Sequence, residues 1–392
     1  MISTPQPARV AAIDAYRGFV MFLMLAEVLH LGQVAKLIPE SGVWKFLAWH
    51  QTHVEWAGCT LHDLIQPSFS FLVGVALPFS LLSRRGRGEG FRLSTLHAAW
   101  RALVLVWLGM FLRSVGEKQT NFVFTDTLSQ IGLGYFFLFL LGHLRPRWHW
   151  VALGVILVGY WATYAVYEPD SLPIEKTGVK ADWNHHTTGF AAHWDKNTNP
   201  GAAFDRWFLN LFPRATEFKF NSGGYATLSF IPTLGTMILG LIAGSWLLRA
   251  GSSKTQFARM LATGLALLAA GFALDATGVC PSVKRIWTPA WVLFSGGWCF
   301  ILLAGFYALT DWIGYAGWTF PLRVIGANSI AAYCMASLLP KFIRGTFETH
   351  FGADAFKGFG TQYEPFVSGA AVLAVYWLIL LWMYRRRIFL KI

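Results

Sequence analysis

The densest reactive chemistry in the sequence lies in one run, His50-Gln51-Thr52-His53-Val54-Glu55-Trp56-Ala57-Gly58-Cys59-Thr60-Leu61-His62-Asp63-Leu64. Three imidazoles and two carboxylates sit together there. Imidazole titrates near neutral pH, so it can take a proton from an incoming amine or hydroxyl, or briefly carry an acyl group itself. Asp63 heads an apolar run, where it either caps the helix by accepting from free amides or orients one of the histidines. A metal centre is the rival chemistry, because His50 and His53 stand three apart and would share one helical face. No metal is expected, since no His-Glu-x-x-His pattern occurs and the outer segments offer only His185, His186 and His193 besides. The bland alternative is a set of ordinary interfacial histidines, and their clustering argues against it.

The elements that must position these groups are apolar helices. Of 392 residues, 55% are apolar and only 13% charged, too greasy for an ordinary soluble domain. A membrane span needs about 20 mostly apolar residues to cross a ~30 Å hydrocarbon core. Runs of that kind predict helices near 14–33, 64–83, 99–115, 127–143, 149–167, 226–248, 257–276, 290–310, 321–343 and 366–385. The expected fold is therefore all-α, a single transmembrane domain over 1–392 with about ten helices and no soluble partner domain. The net charge of +12 does not point to nucleic acid, because the basic residues sit in short clusters between apolar runs, as juxtamembrane charges do. The polar lead Met1 to Arg9 is followed by no small-residue cleavage site, and the first apolar run contains Glu27, so that run is expected to be a retained helix.

Orientation follows from where Lys and Arg collect: Arg84, Arg85, Arg87 and Arg92; Arg145 and Arg147; Arg249, Lys254 and Arg259; Arg385, Arg386, Arg387 and Lys391. All fall on one side if both termini are cytoplasmic. Residues 34–63, 168–225 and 277–289 then lie outside. The long loop 168–225 is rich in Trp, His, Asn and Gly and is read as functional, with a flexible linker as the alternative given Pro169, Pro173 and Pro200.

Other polar residues stand out against this apolar background. Asp14 and Arg17 are three apart at the start of the first helix and can pair, either positioning a ligand or marking the water boundary. Glu27 lies about 20 Å further along the axis, near the outer end, and is expected to face a cavity or a partner such as His30. Cys59 and Cys280 both fall outside, where a disulfide could join them in an oxidising compartment. Among the 19 Trp residues, Trp56 and Trp287 are singled out as faces on which a sugar could stack, although interfacial aromatic belts are commoner.

Taken in order, the motifs resemble a known family. Ile13-Asp14-Ala15-Tyr16-Arg17-Gly18 opens the first helix. His53-x-x-Trp56-x-Gly58-x-Thr60-x-x-Asp63-Leu64 follows, continued by Pro67-x-Phe69-x-Phe71-x-x-Gly74. Then come Thr127-Leu128-Ser129-Gln130-Ile131-Gly132, Gly201-Ala202-Ala203-Phe204-Asp205-Arg206, Gly223-Gly224-Tyr225-Ala226-Thr227-Leu228 with Ile231-Pro232-Thr233, Lys284-x-x-Trp287-Thr288, and Gly326-x-Asn328-Ser329. This ordered set resembles the bacterial branch of the heparan-α-glucosaminide N-acetyltransferase family, membrane enzymes that acetylate a terminal glucosamine amine across a membrane with acetyl-coenzyme A.

The resemblance implies a catalytic His53 oriented by Asp63. For that chemistry an acceptor pocket is expected to be shaped by Trp56, Glu27, Lys284 and Trp287, with Asp205, Arg206, Asn328 and Ser329 holding polar groups. With such a donor, the anionic acetyl-CoA nucleotide is expected at basic residues of the cytoplasmic side, with Arg84, Arg85, Arg101 and Arg323 as candidates and Asp14 and Arg17 beside them. One position departs from the pattern: family members often carry an Asn near the outer end of the first helix, where ungapped counting from Asp14 puts Val28, leaving Glu27 or His30 to substitute. The family further suggests a homodimer surrounded by membrane lipid, in a bacterial inner (cytoplasmic) membrane. Two other functions share these features. An O-acyltransferase of an envelope polysaccharide would present a hydroxyl instead of an amine. A sugar transporter would move its substrate unmodified, but the sequence has no obvious inverted repeat and its polar residues gather at one outer mouth.

Overall fold

The computed structural model describes residues 10–169, 171–249 and 251–390; the polar lead Met1 to Arg9 and Lys391 of the terminal basic cluster lie outside them. Among the described residues the secondary structure is helical, with no β-strand. In chain order the helices are α1 (Ala11–Leu25), α2 (Leu31–Leu37), α3 (Gly42–His50), α4 (Ile65–Gly86), α5 (Phe91–Ser114), α6 (Thr127–Leu141), α7 (Pro146–Val166), α8 (Ile174–Thr177), α9 (Pro200–Phe208), α10 (Phe230–Leu247), α11 (Ser253–Ala276), α12 (Pro289–Tyr307), α13 (Phe320–Gly326), α14 (Ser329–Leu338), α15 (Pro340–Phe351) and α16 (Glu364–Arg385).

Their ends are written in the sequence. Asp126 accepts from Leu128 N and Ser129 N at the start of α6, both at 3.0 Å. Asn199 and Thr288 cap α9 and α12, each followed by a proline at the first helical position, where a missing N–H costs nothing. The start of α1 is capped from a distance: Asp311 Oδ1 and Oδ2 accept from Ala11 N at 2.9 Å and Ala12 N at 2.8 Å, satisfying amides that have no partner inside the helix.

Seven helices are long and apolar enough to cross a membrane, or eight if the bent pair α1–α2 forms one span. The chain is an integral membrane protein. The ten expected spans exceed this number by two, because α6 and α14 are apolar but have only 15 and 10 residues, short of the ~20 a span requires. The helix expected over 321–343 is broken into α13, α14 and α15. Pro340 cannot continue α14 but suits the first turn of α15. At the other break the Asn328 side chain replaces helical partners, donating to Ile388 O at 2.9 Å and accepting from Leu390 N at 3.0 Å. The chain after α16 is thus tied into the interruption.

The centre of the bundle is α10, whose residues are almost all buried. It lies against α4, α6, α7 and α12. Gly74 on α4 and Gly240 and Gly244 on α10 face the opposite backbone so closely that a Cβ at any of them would strike a carbonyl of the partner helix. Small residues there let two apolar helices touch main chain to main chain, which in lipid supplies packing that side-chain hydrophobicity alone does not. Since the chain runs back and forth, the end of α1, the loop 51–64, the start of α4, the end of α5 and the segment 277–288 meet at one end. Arg84, Arg101 and the other basic clusters lie at the opposite end.

Candidate active site

The segment between α3 and α4 is a loop shaped by its own side chains. Gln51 donates through Nε2 to Ala26 O at 2.6 Å and accepts from Leu31 N at 2.8 Å, which pins the loop to the bend between α1 and α2. Thr60 closes it by donating from Oγ1 to Thr52 O at 2.7 Å. Asp63 Oδ2 accepts from Thr60 N at 3.0 Å and Val54 N at 3.2 Å and contacts Thr60 Oγ1 at 3.0 Å. One carboxylate oxygen is thereby fixed, and the other faces the chemistry: Oδ1 lies 2.8 Å from His53 Nδ1 and 3.2 Å from Lys284 Nζ. Lys284 arrives from the 277–288 segment, which is stitched to the loop by a backbone bridge between Ala57 and Val283 and by Gly58 N donating to Ser282 O at 3.3 Å. Gly58 holds φ at 116°, a conformation that favours glycine.

Charge placement selects one tautomer of His53. Its Nδ1 lies 3.1 Å from Lys284 Nζ as well as 2.8 Å from the carboxylate, and it can accept from the ammonium or donate to Asp63 but not both. A bare Nδ1 would point its lone pair at a carboxylate lone pair, whereas Nδ1–H lets both His53 and Lys284 donate to Asp63. The Nε2 lone pair is then free, and among the described residues no hydrogen bond occupies it. Burial pushes the His53 imidazole below its ordinary value, and the nearby Lys284 charge works against the raising effect of Asp63. Burial likewise lowers the Lys284 ammonium, with Asp63 opposing. His53 is therefore a neutral imidazole at pH 7, available as a base.

This imidazole opens onto a cavity of about 770 Å³, lined also by Glu27, His30, His62, Arg113, Tyr225 and Tyr333. Its polar groups come from α5, α14, the end of α1 and three loops, and Met24, Val28, Phe69 and Leu112 supply an apolar wall. A concave, mostly preformed pocket with a few convergent polar groups is the common form of a small-molecule site.

The chain is similar to heparan-alpha-glucosaminide N-acetyltransferases. It is 24% identical to that of Homo sapiens and 21% identical to that of Mus musculus, in both cases over 98% of this chain. The resemblance carried by the ordered motifs thus extends over nearly its whole length. The chain spans about 60% of the length of these curated relatives. No protein-family model matches it.

Of the residues singled out from sequence, His53, Asp63, Lys284 and Glu27 are brought together. Glu27 faces the cavity, and its partner is His62 Nε2 at 3.2 Å. Trp56 and Trp287 line neither this cavity nor the second one described below. Trp56 is buried with Tyr160, Tyr164, Trp194 and Cys280, and Trp287 is buried with Nε1 donating to Thr236 Oγ1 at 3.1 Å. Asp205 accepts from Thr227 N at 2.9 Å, and burial raises its carboxyl to about 6; Arg206 donates to Asn197 O at 3.0 Å. These two hold the long loop together and to the start of α10. Asn328 and Ser329 sit at the α13–α14 break, Ser329 donating to Gly326 O at 3.0 Å. Cys59 and Cys280 are both free thiols, and the disulfide between them is not formed.

At the opposite end, Asp14 and Arg17 form an ion pair of 3.6 Å. Arg84 pairs with Glu89 at 2.9 Å. Arg101 donates to Tyr135 OH at 3.3 Å and lies 4.7 Å over that ring. Both arginines line a second cavity of about 290 Å³ together with Arg87, Ser94 and His97; Arg85 and Arg323 do not.

Sequence reasoning passed over Arg285. Its guanidinium donates to Val54 O at 3.2 Å, next to His53, and to Gly223 O at 2.7 Å, and it lies 5.1 Å over the Tyr225 ring. One side chain thus joins three segments of the cavity mouth. Its place beside Lys284 was the only sequence signal, since its partners are backbone carbonyls with no residue pattern of their own.

Proposed function

We propose that this chain is a membrane acetyltransferase that moves an acetyl group from acetyl-coenzyme A to the amine of a glucosamine-like sugar at the His53 end of the bundle. The observation that carries this is the His53–Asp63 pair, whose free Nε2 opens into a cavity large enough for a sugar. In the proposed step the acceptor nitrogen attacks the thioester carbonyl. A C–N bond forms, the C–S bond breaks, and one proton passes from nitrogen to His53 Nε2 and on to the departing thiolate. Asp63 holds the tautomer and steadies the imidazolium, while Lys284 keeps Asp63 from holding that proton too tightly.

The donor's phosphates fit the second cavity, where Arg84, Arg87 and Arg101 offer charge-assisted hydrogen bonds. The same three helices flank both cavities: Phe69 and Leu77 on α4, Gly109 and Arg101 on α5, and Thr127 and Tyr135 on α6. Each pair is two turns apart, about 12 Å. A thin, flexible donor arm running along this line would join the two ends. The chain then acts as one transmembrane unit, with both termini on the Arg-rich, cytoplasmic side of a bacterial inner membrane.

The test is transfer of labelled acetyl from acetyl-CoA to D-glucosamine by the purified protein. His53→Ala should abolish transfer and leave thermal unfolding unchanged; a fully active variant removes the histidine from the mechanism. Labelling of glucose as readily as glucosamine would point instead to a hydroxyl acceptor, and movement of unlabelled sugar across vesicles without labelling would point to a transporter.

A further inference from the structure

The cavity holds a second carboxylate–imidazole pair that the mechanism above does not use. His62 Nε2 lies 3.2 Å from Glu27 Oε1, and the rings of His53 and His62 are 4.5 Å apart between centroids. The two members are exposed unequally. The His62 side chain is 8% exposed and the Glu27 side chain 56%, so the pair turns its negative end to the cavity and backs it with the imidazole. Two adjacent acid–base pairs suit an acceptor that arrives with one proton too many. An amine with a pKa near that of an α-amino group, about 8, enters mostly as ammonium at neutral pH, and an ammonium has no lone pair with which to attack a thioester.

We propose that Glu27, held by His62, binds the acceptor's ammonium group and removes its first proton, leaving His53 to take the second. This rests on the amine-acetylation function argued above. The ammonium donates a hydrogen bond to the open Glu27 carboxylate and gives it one proton, while His62 donates from Nε2–H across the 3.2 Å contact and holds the carboxylate in place. The neutral amine nitrogen then attacks the thioester carbon. Its second proton goes to His53 Nε2 and from there to the thiolate, and the proton on Glu27 returns to water through the open side of the cavity. One proton is released to solvent per turnover and one ends on sulfur, so the step balances.

The charged and titratable groups that share the cavity with Glu27 are His53 and His62 from the loop before α4, Lys284 from 277–288, Arg113 from α5, Asp126 before α6, Tyr225 before α10 and Tyr333 on α14, with His30 on its own segment. Asp126 is committed to capping α6, and Lys284 to Asp63. Glu27 is therefore the carboxylate open to a cation.

Two readouts on purified protein in nanodiscs test this. The first is kcat/KM for D-glucosamine with acetyl-CoA, measured from pH 6 to about 9. Glu27→Gln should lower it about 100-fold at pH 7, and His62→Leu, which loses the donor that holds Glu27, about 10-fold; both should recover toward wild type near pH 9, where the amine is already neutral, whereas His53→Ala stays inactive throughout. A purely structural role would depress the two variants equally at every pH, and that result, or an unchanged profile, overturns the proposal. The second needs no turnover: wild type and His53→Ala should bind glucosamine at least about 10-fold tighter than glucose, as expected for a charge-assisted hydrogen bond, and Glu27→Gln should lose the preference. If wild type transfers no acetyl, the acetylation function fails, and binding alone still decides the ammonium site, which equal affinity for the two sugars would overturn.

Discussion

At the scale of the residue, the site depends on how Asp63 distributes its two oxygens. Oδ2 is saturated by the loop, and Oδ1 is shared between an imidazole and an ammonium. Asp63→Asn removes the acceptor that fixes His53 as the Nδ1–H tautomer, so kcat should fall by about 100-fold or more with a smaller change in KM. Burial holds His53 below its ordinary value, and a base works only while unprotonated. The acid limb of kcat should thus lie below pH 6.5, with activity retained above it. Replacing Lys284 with Gln removes a cation that lowers the His53 value, so the limb should move to higher pH. The same change strands a buried carboxylate, at a cost of about 3–5 kcal/mol in stability, readable as a lowered melting temperature. His53 and Asp63 were legible in the sequence because their spacing matched a motif. The Glu27–His62 contact was not, since nothing in a single sequence says which of His30 and His62 a carboxylate at a helix end will meet.

At the scale of the element, apolar periodicity located every long helix, and capping residues such as Asp126 and Thr288 explain the starts of α6 and α12. It failed where the chain bends or breaks. The run 321–343 is mostly apolar, so periodicity alone could not reveal the interruption that Asn328 creates by bonding to Ile388 and Leu390. α2 and α3 were hidden for the opposite reason, being too short and mixed in polarity to register as spans. Helices α4 and α10 touch backbone to backbone, and Gly240→Ala should destabilise that contact by about 1–3 kcal/mol, because the new methyl meets the Phe71 carbonyl and neither backbone can retreat. Thermal unfolding in detergent measures this, and an unchanged midpoint would show that the helices can separate at little cost.

At the scale of the whole molecule, the proposed function divides recognition of donor and acceptor between the two cavities that α4, α5 and α6 flank. Arg84→Ala and Arg101→Ala should each raise KM for acetyl-CoA by about 10-fold, as expected for loss of one hydrogen bond to a charged group. KM for the sugar should not move. A matching rise in both constants would mean that the Arg84 end does not hold the donor. Sequence gave the polarity of the bundle through its arginine clusters, but not the alignment of the cavities, which depends on how three helices pack side by side.

The pairing of Asp63 with Lys284 spans 221 positions and so has a consequence for biogenesis. At about 5–20 residues per second, a ribosome takes on the order of 10–40 s to make the lysine after it has made the aspartate. During that interval α4 enters the bilayer with its carboxylate uncompensated. The nascent chain must keep that end of the helix near water, or in the care of the insertion machinery, until the segment after α11 emerges to neutralise it.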